Sequence, residues 1–177
     1  MIIRLAEPAE LAAVGELTFA AYLADEFLDE HDFYADVLRD SRTRHEKATL
    51  LVAVDDAGTL LGTVTFCLAG TEYAQVAAAG EAEFRMLAVA PGARGQGIGE
   101  RLARECIRRA EEVRCTGLTL SSLPVMHSAH RLYDRLGFRR DPDRDWEPVD
   151  GLLLLGYTLD LGARAGADPA GADRAGA

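Results

Sequence analysis

The fold of this chain is decided by the stretch EFRMLAVAPGARGQGIG, residues 83–99. Its first seven residues have the composition of a strand, residues 90–93 carry a turn signal, and RGQGIG opens a long helical pattern. The first N–H groups of a helix lack internal partners and lie at the positive end of the helix dipole. Glycine also lets a ligand approach the backbone closely. Because Arg94 adds a positive charge, the stretch predicts a cradle for a phosphate or pyrophosphate group.

The glycine spacing narrows the kind of cradle. A Walker A loop needs a Gly-Lys-Ser/Thr end, which is absent here, and the dinucleotide fingerprint needs G-x-G-x-x-G rather than G-x-G-x-G. The spacing instead resembles the acetyl-CoA signature of the GNAT superfamily of N-acetyltransferases, Q/R-x-x-G-x-G/A. Arg94, Gly97 and Gly99 match that signature. The preceding LAVAP, residues 87–91, is similar to the fourth strand of the same superfamily.

A second motif supports this resemblance. The sequence AHRLYDRLGF, residues 129–138, resembles the A-x-x-L-Y-x-x-x-G-F pattern of a late helix in the superfamily. Two motifs in the right order and at about the right separation are far more specific than either alone. The resemblance covers residues 2–159.

The predicted order of elements is β-α-α-β-β-β-α-β-α-β-β, with a second helix expected within residues 24–44. This order favours a mixed sheet with helices on both faces. The resemblance implies an α/β (α+β) GNAT fold, in which a mixed, mostly antiparallel sheet has splayed fourth and fifth strands. We expect this domain to occupy residues 1–161. Residues 162–177 have no bulky apolar side chain, so we predict a disordered C-terminal tail.

The resemblance also implies how a co-substrate binds. Acetyl-CoA would lie in the gap between the splayed strands, with backbone groups of Leu87 and Val89 bonding its pantetheine arm. The N–H groups of residues 95–99 would hold the pyrophosphate, to which Gln96 and Ile98 would contribute through their backbone alone. The implied cofactor-binding residues are Leu87, Ala88, Val89, Arg94, Gly95, Gln96, Gly97, Ile98, Gly99 and Glu100.

Two side chains are candidates for catalysis. From the resemblance, Tyr133 would stand near the CoA sulfur, where its phenol could protonate the leaving thiolate or hydrogen-bond to it. A primary amine is mostly protonated at neutral pH, so a base is also needed, and Glu83 is the candidate. Strand alternation predicts Glu83 on the same face as Arg85 and Leu87. The competing interpretation of Glu83 is an exposed glutamate, or one in an ion pair with Arg85.

One position departs from the superfamily pattern. An Asn often stands seven residues before the tyrosine, where its amide bonds CoA, and here that position is Met126. Methionine cannot make those hydrogen bonds. We therefore expect the lost contact to be supplied elsewhere, with Ser121 and Ser122 as the candidates.

Composition excludes several other classes of function. The net charge of -10 disfavours nucleic-acid binding, and no apolar run approaches the ~20 residues that span a bilayer. The cysteines Cys67, Cys106 and Cys115 form no CxxC pair, so neither zinc nor a disulfide framework is expected. We expect no metal, no membrane association and a reducing, cytoplasmic location. A homodimer is compatible with the general frequency of such assemblies.

The resemblance implies an enzyme that transfers the acetyl group of acetyl-CoA to a primary amine by direct attack. We expect the acceptor to be an amine of a small molecule or a peptide, and the sequence does not identify it. Two alternatives stay open: a non-catalytic CoA-binding sensor or interaction module, which Met126 favours, and a transferase that uses a longer acyl-CoA. The acidic stretch between Asp25 and Asp36 is interpreted first as a solvated helix face over a small aromatic cluster. The alternative is an acidic rim, which slightly favours a cationic acceptor.

Overall fold

Within residues 1–25 and 34–162, which the computed structural model describes, seven strands form one sheet. The strands are β1 Ile2–Leu5, β2 Thr49–Val54, β3 Leu60–Leu68, β4 Glu81–Val89, β5 Gly117–Ser122, β6 Arg139–Arg140 and β7 Leu155–Asp160. Their order across the sheet is β1-β2-β3-β4-β5-β7-β6. The β4–β5 pair is parallel and the other five are antiparallel. The predicted mixed, mostly antiparallel sheet is therefore confirmed.

The fourth and fifth strands part soon after they meet. Pairing runs from Glu81 opposite Gly117 to Glu83 opposite Thr119, whereas β4 continues to Val89. The predicted splay is confirmed, and it begins directly after Glu83.

A β-bulge in β4 lies within the splayed segment. Thr65 of β3 pairs with Arg85 and Thr63 pairs with Ala88, so β4 has one residue more than its partner in this interval. Met86 within the bulge adopts a left-handed φ of 52°. An extra residue bends the strand, increases its twist and interrupts the alternation of side chains.

The bulge changes which face the later side chains of β4 occupy. Phe84 packs in the same apolar cluster as Leu87 and Val89, although strict alternation would separate them. Met86 packs instead in the cluster on the opposite face. The prediction that Glu83 shares a face with Leu87 is therefore wrong, because alternation stops at the bulge.

Helices cover both faces of the sheet, as predicted. They are α1 Leu11–Ala24, α2 Tyr34–Arg39, α3 Ser41–Lys47, α4 Ile98–Glu112 and α5 His127–Leu136. Apolar residues of α1 pack on β2, and residues of α1 and α2 pack around Met86. Those of α4 and α5 join the main core on the other face. No helix in the two described ranges combines the length and hydrophobicity needed to cross a bilayer.

The predicted single helix within residues 24–44 is wrong. The described part of this region contains two short helices, α2 and α3, separated by Asp40. The Asp40 side chain accepts a hydrogen bond from the Thr43 N–H at 3.0 Å and so caps the start of α3. Most of the acidic stretch, residues 26–33, lies outside the described residues, as does the predicted tail from residue 163 onward.

Gly15 allows α1 to pack against the end of α2. A Cβ at this position would lie 2.2 Å from the carbonyl oxygen of Arg39, which is closer than atoms can approach without backbone movement. By contrast, a Cβ at Gly92 would have no atom within 4 Å. The first position therefore needs glycine for its packing, and the second does not.

We expect Gly15→Ala to destabilise the protein by about 1–3 kcal/mol, because the added methyl group forces the two helices apart. The measurement is the free energy of unfolding from denaturant titration. Gly92→Ala is the matched control and should be neutral or slightly stabilising. Equal stability of the two variants would contradict the close approach.

Candidate functional site

Two cavities meet where β4 and β5 diverge. The first, of about 440 Å³, lies between the splayed part of β4, the start of α4 and α5, and we call it the α4 cavity. It is lined by Leu87, Ala88, Val89, Arg94, Gly99, Ala129, Leu132 and Tyr133, among others. The second, of about 310 Å³, is lined by Glu83, Tyr34, Val37, Gln75, Trp146 and Leu152, among others, and we call it the Glu83 cavity. Tyr22, Arg85, Met86, Ser121 and Met126 line both, so the cavities adjoin at the splay.

The backbone before α4 has the geometry predicted for an anion cradle. Gly95 and Gly97 have left-handed φ values of 76° and 75°. In the helix that follows, Arg101 N–H donates to the Gly97 carbonyl at 3.0 Å. The N–H groups of residues 98–100 precede this first turn and have no helical acceptor. They give the α4 cavity a positively polarised end.

Gly99 has a different role from the two preceding glycines. It is helical, and a Cβ there would meet Val89 Cγ2 at 3.6 Å and Leu132 Cδ2 at 3.7 Å. It therefore lies where α4 comes close to β4 and α5.

Arg94 is held by the C-terminal end of α1. Its guanidinium donates to both carboxylate oxygens of Asp25, at 2.7 and 2.9 Å, and to the Ala21 carbonyl at 2.9 Å. Asp25 thus offsets the charge that the sequence predicts Arg94 to supply. At this end of the α4 cavity, the backbone N–H groups of residues 95–100 are therefore the donors for which the described part of the chain supplies no acceptor.

The splayed segment of β4 has an open edge. Among the described residues, β4 pairs with β5 only up to Glu83, so residues 84–89 pair with β3 on one edge and have no strand partner on the edge that faces the α4 cavity. Leu87, Ala88 and Val89 all line this cavity, as the resemblance implies for the pantetheine-binding strand. An unpaired strand edge offers main-chain donors and acceptors to an extended ligand.

Tyr133 lies on α5 with its ring buried and its residue lining the α4 cavity. The ring is fixed by edge contacts with Phe84 and Phe138, at centroid distances of 6.0 Å each. Burial raises the pKa of the Tyr133 phenol. The hydroxyl therefore stays protonated near neutral pH and can donate a hydrogen bond or a proton.

Glu83 is almost fully buried, with 1% of its surface exposed, yet it lines the cavity named after it. Its Oε2 accepts hydrogen bonds from the N–H groups of Gln75, Val76 and Ala77, at 2.8, 2.9 and 3.3 Å. Its Oε1 lies 3.6 Å from Arg85 Nε. The predicted ion pair with Arg85 is present, and the interpretation as an exposed glutamate is wrong. The sequence did not predict that this carboxylate also holds the loop before β4.

Arg44 is a fully buried residue that sequence reasoning missed. One of its nitrogens donates to the Leu38 carbonyl at 2.8 Å and to Thr18 Oγ1 at 3.2 Å. The other two nitrogens have no hydrogen-bond partner within residues 1–25 and 34–162. Burial lowers the pKa of Arg44. No sequence signal marks it, because it belongs to the polar helix SRTRHEK, residues 41–47, which reads as a solvated segment.

Met126 stands at the start of α5, with both candidate serines nearby. Ser121 Oγ accepts a hydrogen bond from Trp146 Nε1 at 3.1 Å. Ser122 Oγ lies 3.2 Å from His130 Nε2 and 3.5 Å from Met126 Sδ. Both hydroxyls therefore already contact protein groups, and their compensation for the missing amide stays a prediction.

Two further features of the site concern charge and metal. Glu100 is bonded to Arg104 through its side chain, at 3.0 and 2.8 Å, so only its backbone faces the cradle. In the part of the chain that the structure describes, no group of three or more His, Cys, Asp or Glu side chains is placed to hold a metal ion.

Comparison with known proteins decides the family. The model of the acetyltransferase (GNAT) family matches residues 13–138, which is more than half of the chain. The chain belongs to the GNAT family. An uncharacterized N-acetyltransferase of Schizosaccharomyces pombe is 29% identical over 106 residues, which cover 60% of this GNAT protein and 61% of the yeast one. The match thus spans less than two thirds of that relative.

Solved structures share the fold. The PaiA N-acetyltransferase of Thermoplasma acidophilum, in complex with coenzyme A, superimposes with a TM-score of 0.71 at 14% identity, covering 90% of this chain and 98% of that one. YncA of Salmonella typhimurium, with its cofactor acetyl-CoA, superimposes with a TM-score of 0.64 at 23% identity, covering 91% and 94%. At these identities the likeness confirms the GNAT fold of the chain.

We expect Gly97→Ala to weaken CoA binding by this GNAT protein about tenfold, which corresponds to about 1.4 kcal/mol. The left-handed conformation costs alanine about 1–2 kcal/mol. A free loop can relax that strain, whereas a loop that holds an anion cannot. The measurement is the dissociation constant of CoA by calorimetry.

Gly58→Ala is the matched control. Gly58 has a similar φ of 83° in the β2–β3 turn, and no atom lies within 4 Å of its would-be Cβ. The Gly58→Ala variant should carry the same backbone strain and leave the affinity for CoA unchanged. Equal affinities of the Gly97→Ala variant and the wild type would exclude the cradle.

Proposed function

We propose that this protein is an N-acetyltransferase that transfers the acetyl group of acetyl-CoA to a primary amine. One observation carries the proposal. The splay joins a cavity with an anion cradle and a protonated tyrosine to a second cavity with a buried carboxylate. Membership of the GNAT family supports the same reaction.

The residues around the α4 cavity fit acetyl-CoA. The N–H groups of residues 95–100 would hold the pyrophosphate, and the open edge at Leu87, Ala88 and Val89 would bind the pantetheine arm. The positive φ values of Gly95 and Gly97, with no atom within 4 Å of either would-be Cβ, leave room for close approach of phosphate. When bound, acetyl-CoA supplies an acetyl group activated as a thioester.

Glu83 and Tyr133 would move the protons. The amine must lose a proton to become nucleophilic, and Glu83 Oε1 is the oxygen not occupied by backbone N–H groups. It would accept that proton, directly or through one water. The Tyr133 phenol would donate a proton to the sulfur as the thiolate leaves, and the proton that the nitrogen loses as the amide forms would restore the phenol through solvent. Such a division between a proton acceptor and a proton donor fits a carboxylate in one cavity and a phenol in the other.

The proposal also covers the bounds of the domain, the acceptor and the cellular compartment. We assign the catalytic domain to residues 1–161 and expect the acceptor to be an amine of a small molecule or peptide. The cysteines of the described residues are free thiols, which suits a reducing compartment such as the cytoplasm.

We expect Tyr133→Phe to lower kcat by about 10²–10⁴-fold, the usual contribution of a general acid, while the dissociation constant of acetyl-CoA stays unchanged. Tyr157→Phe is the matched control, because Tyr157 is also buried and its ring lies 5.7 Å from that of Tyr133. The measurement is thiol release with an amine panel. Wild-type protein that binds CoA but releases no thiol would favour the non-catalytic module.

We expect Glu83→Gln to lower kcat at least about tenfold, because the amide cannot accept the proton of the amine. Glu81→Gln is the matched control. Glu81 also accepts a hydrogen bond from the loop, from Ala78 N–H at 2.8 Å, but it does not line the Glu83 cavity. If both variants retain the kcat of the wild type, Glu83 only anchors the loop.

A further inference from the structure

We infer that the Glu83 cavity accepts a small primary amine with an apolar or aromatic body and no second positive charge. This inference rests on the proposed function, because it names the acceptor for the same site. It follows from the walls of the cavity, its charges and its size.

The walls of the Glu83 cavity are mostly apolar. Val37 of α2, Met86 of β4, Leu123 after β5, and Val149 and Leu152 before β7 all line it. The aromatic rings of Tyr22, Tyr34 and Trp146 also line it. Burying an apolar ligand surface against such walls is favourable by about 25 cal/mol per Å². A hydrocarbon or aryl body therefore gains more binding free energy in this cavity than a polar chain does.

The charges around the cavity disfavour a second cation. Among the described lining residues, Glu83 and Arg85 are the charged pair, and they lie close enough to compensate each other. Arg44 is a buried guanidinium behind the wall, and it interacts electrostatically with Tyr22 and Tyr34 of the wall and with the carboxylate of Asp40. Glu83 is the only carboxylate among the described lining residues, and it is already engaged by three backbone N–H groups and Arg85, so the described wall offers no second carboxylate to the far end of a diamine.

The acidic stretch does not alter this balance within the described residues. Asp25 is already paired with Arg94, and Asp36 is exposed and does not line the cavity. The remaining acidic residues of the stretch lie outside the described residues. The described lining thus favours an acceptor without a further positive charge, whereas the sequence predicts a cationic acceptor.

An apolar cavity also helps the chemistry. Desolvation disfavours an ammonium ion and so lowers the pKa of a bound amine, which raises the share of the nucleophilic neutral form. A volume of about 310 Å³ is at the small end of ligand pockets, which range over about 300–1,000 Å³. The acceptor is accordingly compact.

The test compares 2-phenylethylamine with 1,4-diaminobutane on the CoA-bound protein. Calorimetry gives binding, and thiol release from acetyl-CoA gives turnover. We expect 2-phenylethylamine to bind and to react at least about tenfold better, a difference of about 1.4 kcal/mol.

A matched pair of variants locates the effect. Val37 is 40% exposed and lines the cavity, whereas Val113 is 55% exposed and lines neither cavity. Val37→Asp should reduce the preference for 2-phenylethylamine about tenfold, because it adds a carboxylate to the wall. Val113→Asp makes the same chemical change elsewhere and should leave the preference unchanged.

The outcomes separate the inference from the proposed function. Preference for the diamine, equal binding of the two amines, binding of neither, or no effect of Val37→Asp would overturn the inference. Any acetyl transfer to the diamine would still support the proposed function. Preferential binding of 2-phenylethylamine without transfer to either amine would support the inference about the cavity and count against the enzyme.

Discussion

The divergence of β4 from β5 after Glu83 is the constraint on which both cavities depend. Three residue pairs hold the strands together, and the bulge at Met86 then bends and twists β4 away. An exposed strand edge usually invites unwanted pairing. Here the edge faces a cavity closed by α5 and by the start of α4, so the same unpaired backbone becomes a place for an extended ligand.

The buried charges explain why this side of the sheet has a defined shape. Glu83 accepts hydrogen bonds from three backbone N–H groups of the loop before β4. Arg85 donates a hydrogen bond to the Tyr73 carbonyl of the same loop at 2.9 Å. Arg44 connects α3 to α1 and α2 through Thr18 and the Leu38 carbonyl. Removing one member of such a network leaves the others buried without partners, which is costly. The polar groups thus position the wall against which an acceptor would lie.

Much of the fold and part of the site could be predicted from local pattern. The two motifs, the glycine-rich turn and the apolar periodicity of α4 depend on neighbouring residues, so they are visible in sequence. The helix division at Asp40 was missed because a cap depends on one side chain among many polar ones. The face of Leu87 was predicted wrongly because the alternation rule assumes an unbroken pleat, and nothing in the side-chain pattern marks the left-handed Met86.

The sequence by itself determined the family, the strand-turn-helix cradle and the position of Tyr133 in its motif, because each is encoded by residues close together along the chain. Tertiary structure alone decided how these parts are used. It paired Arg94 with Asp25, 69 residues away, and buried Arg44. It also surrounded Glu83 with loop N–H groups and apolar walls. The physical reason is that charge compensation and burial depend on which distant segments of the chain come into contact, and no local sequence pattern specifies those contacts.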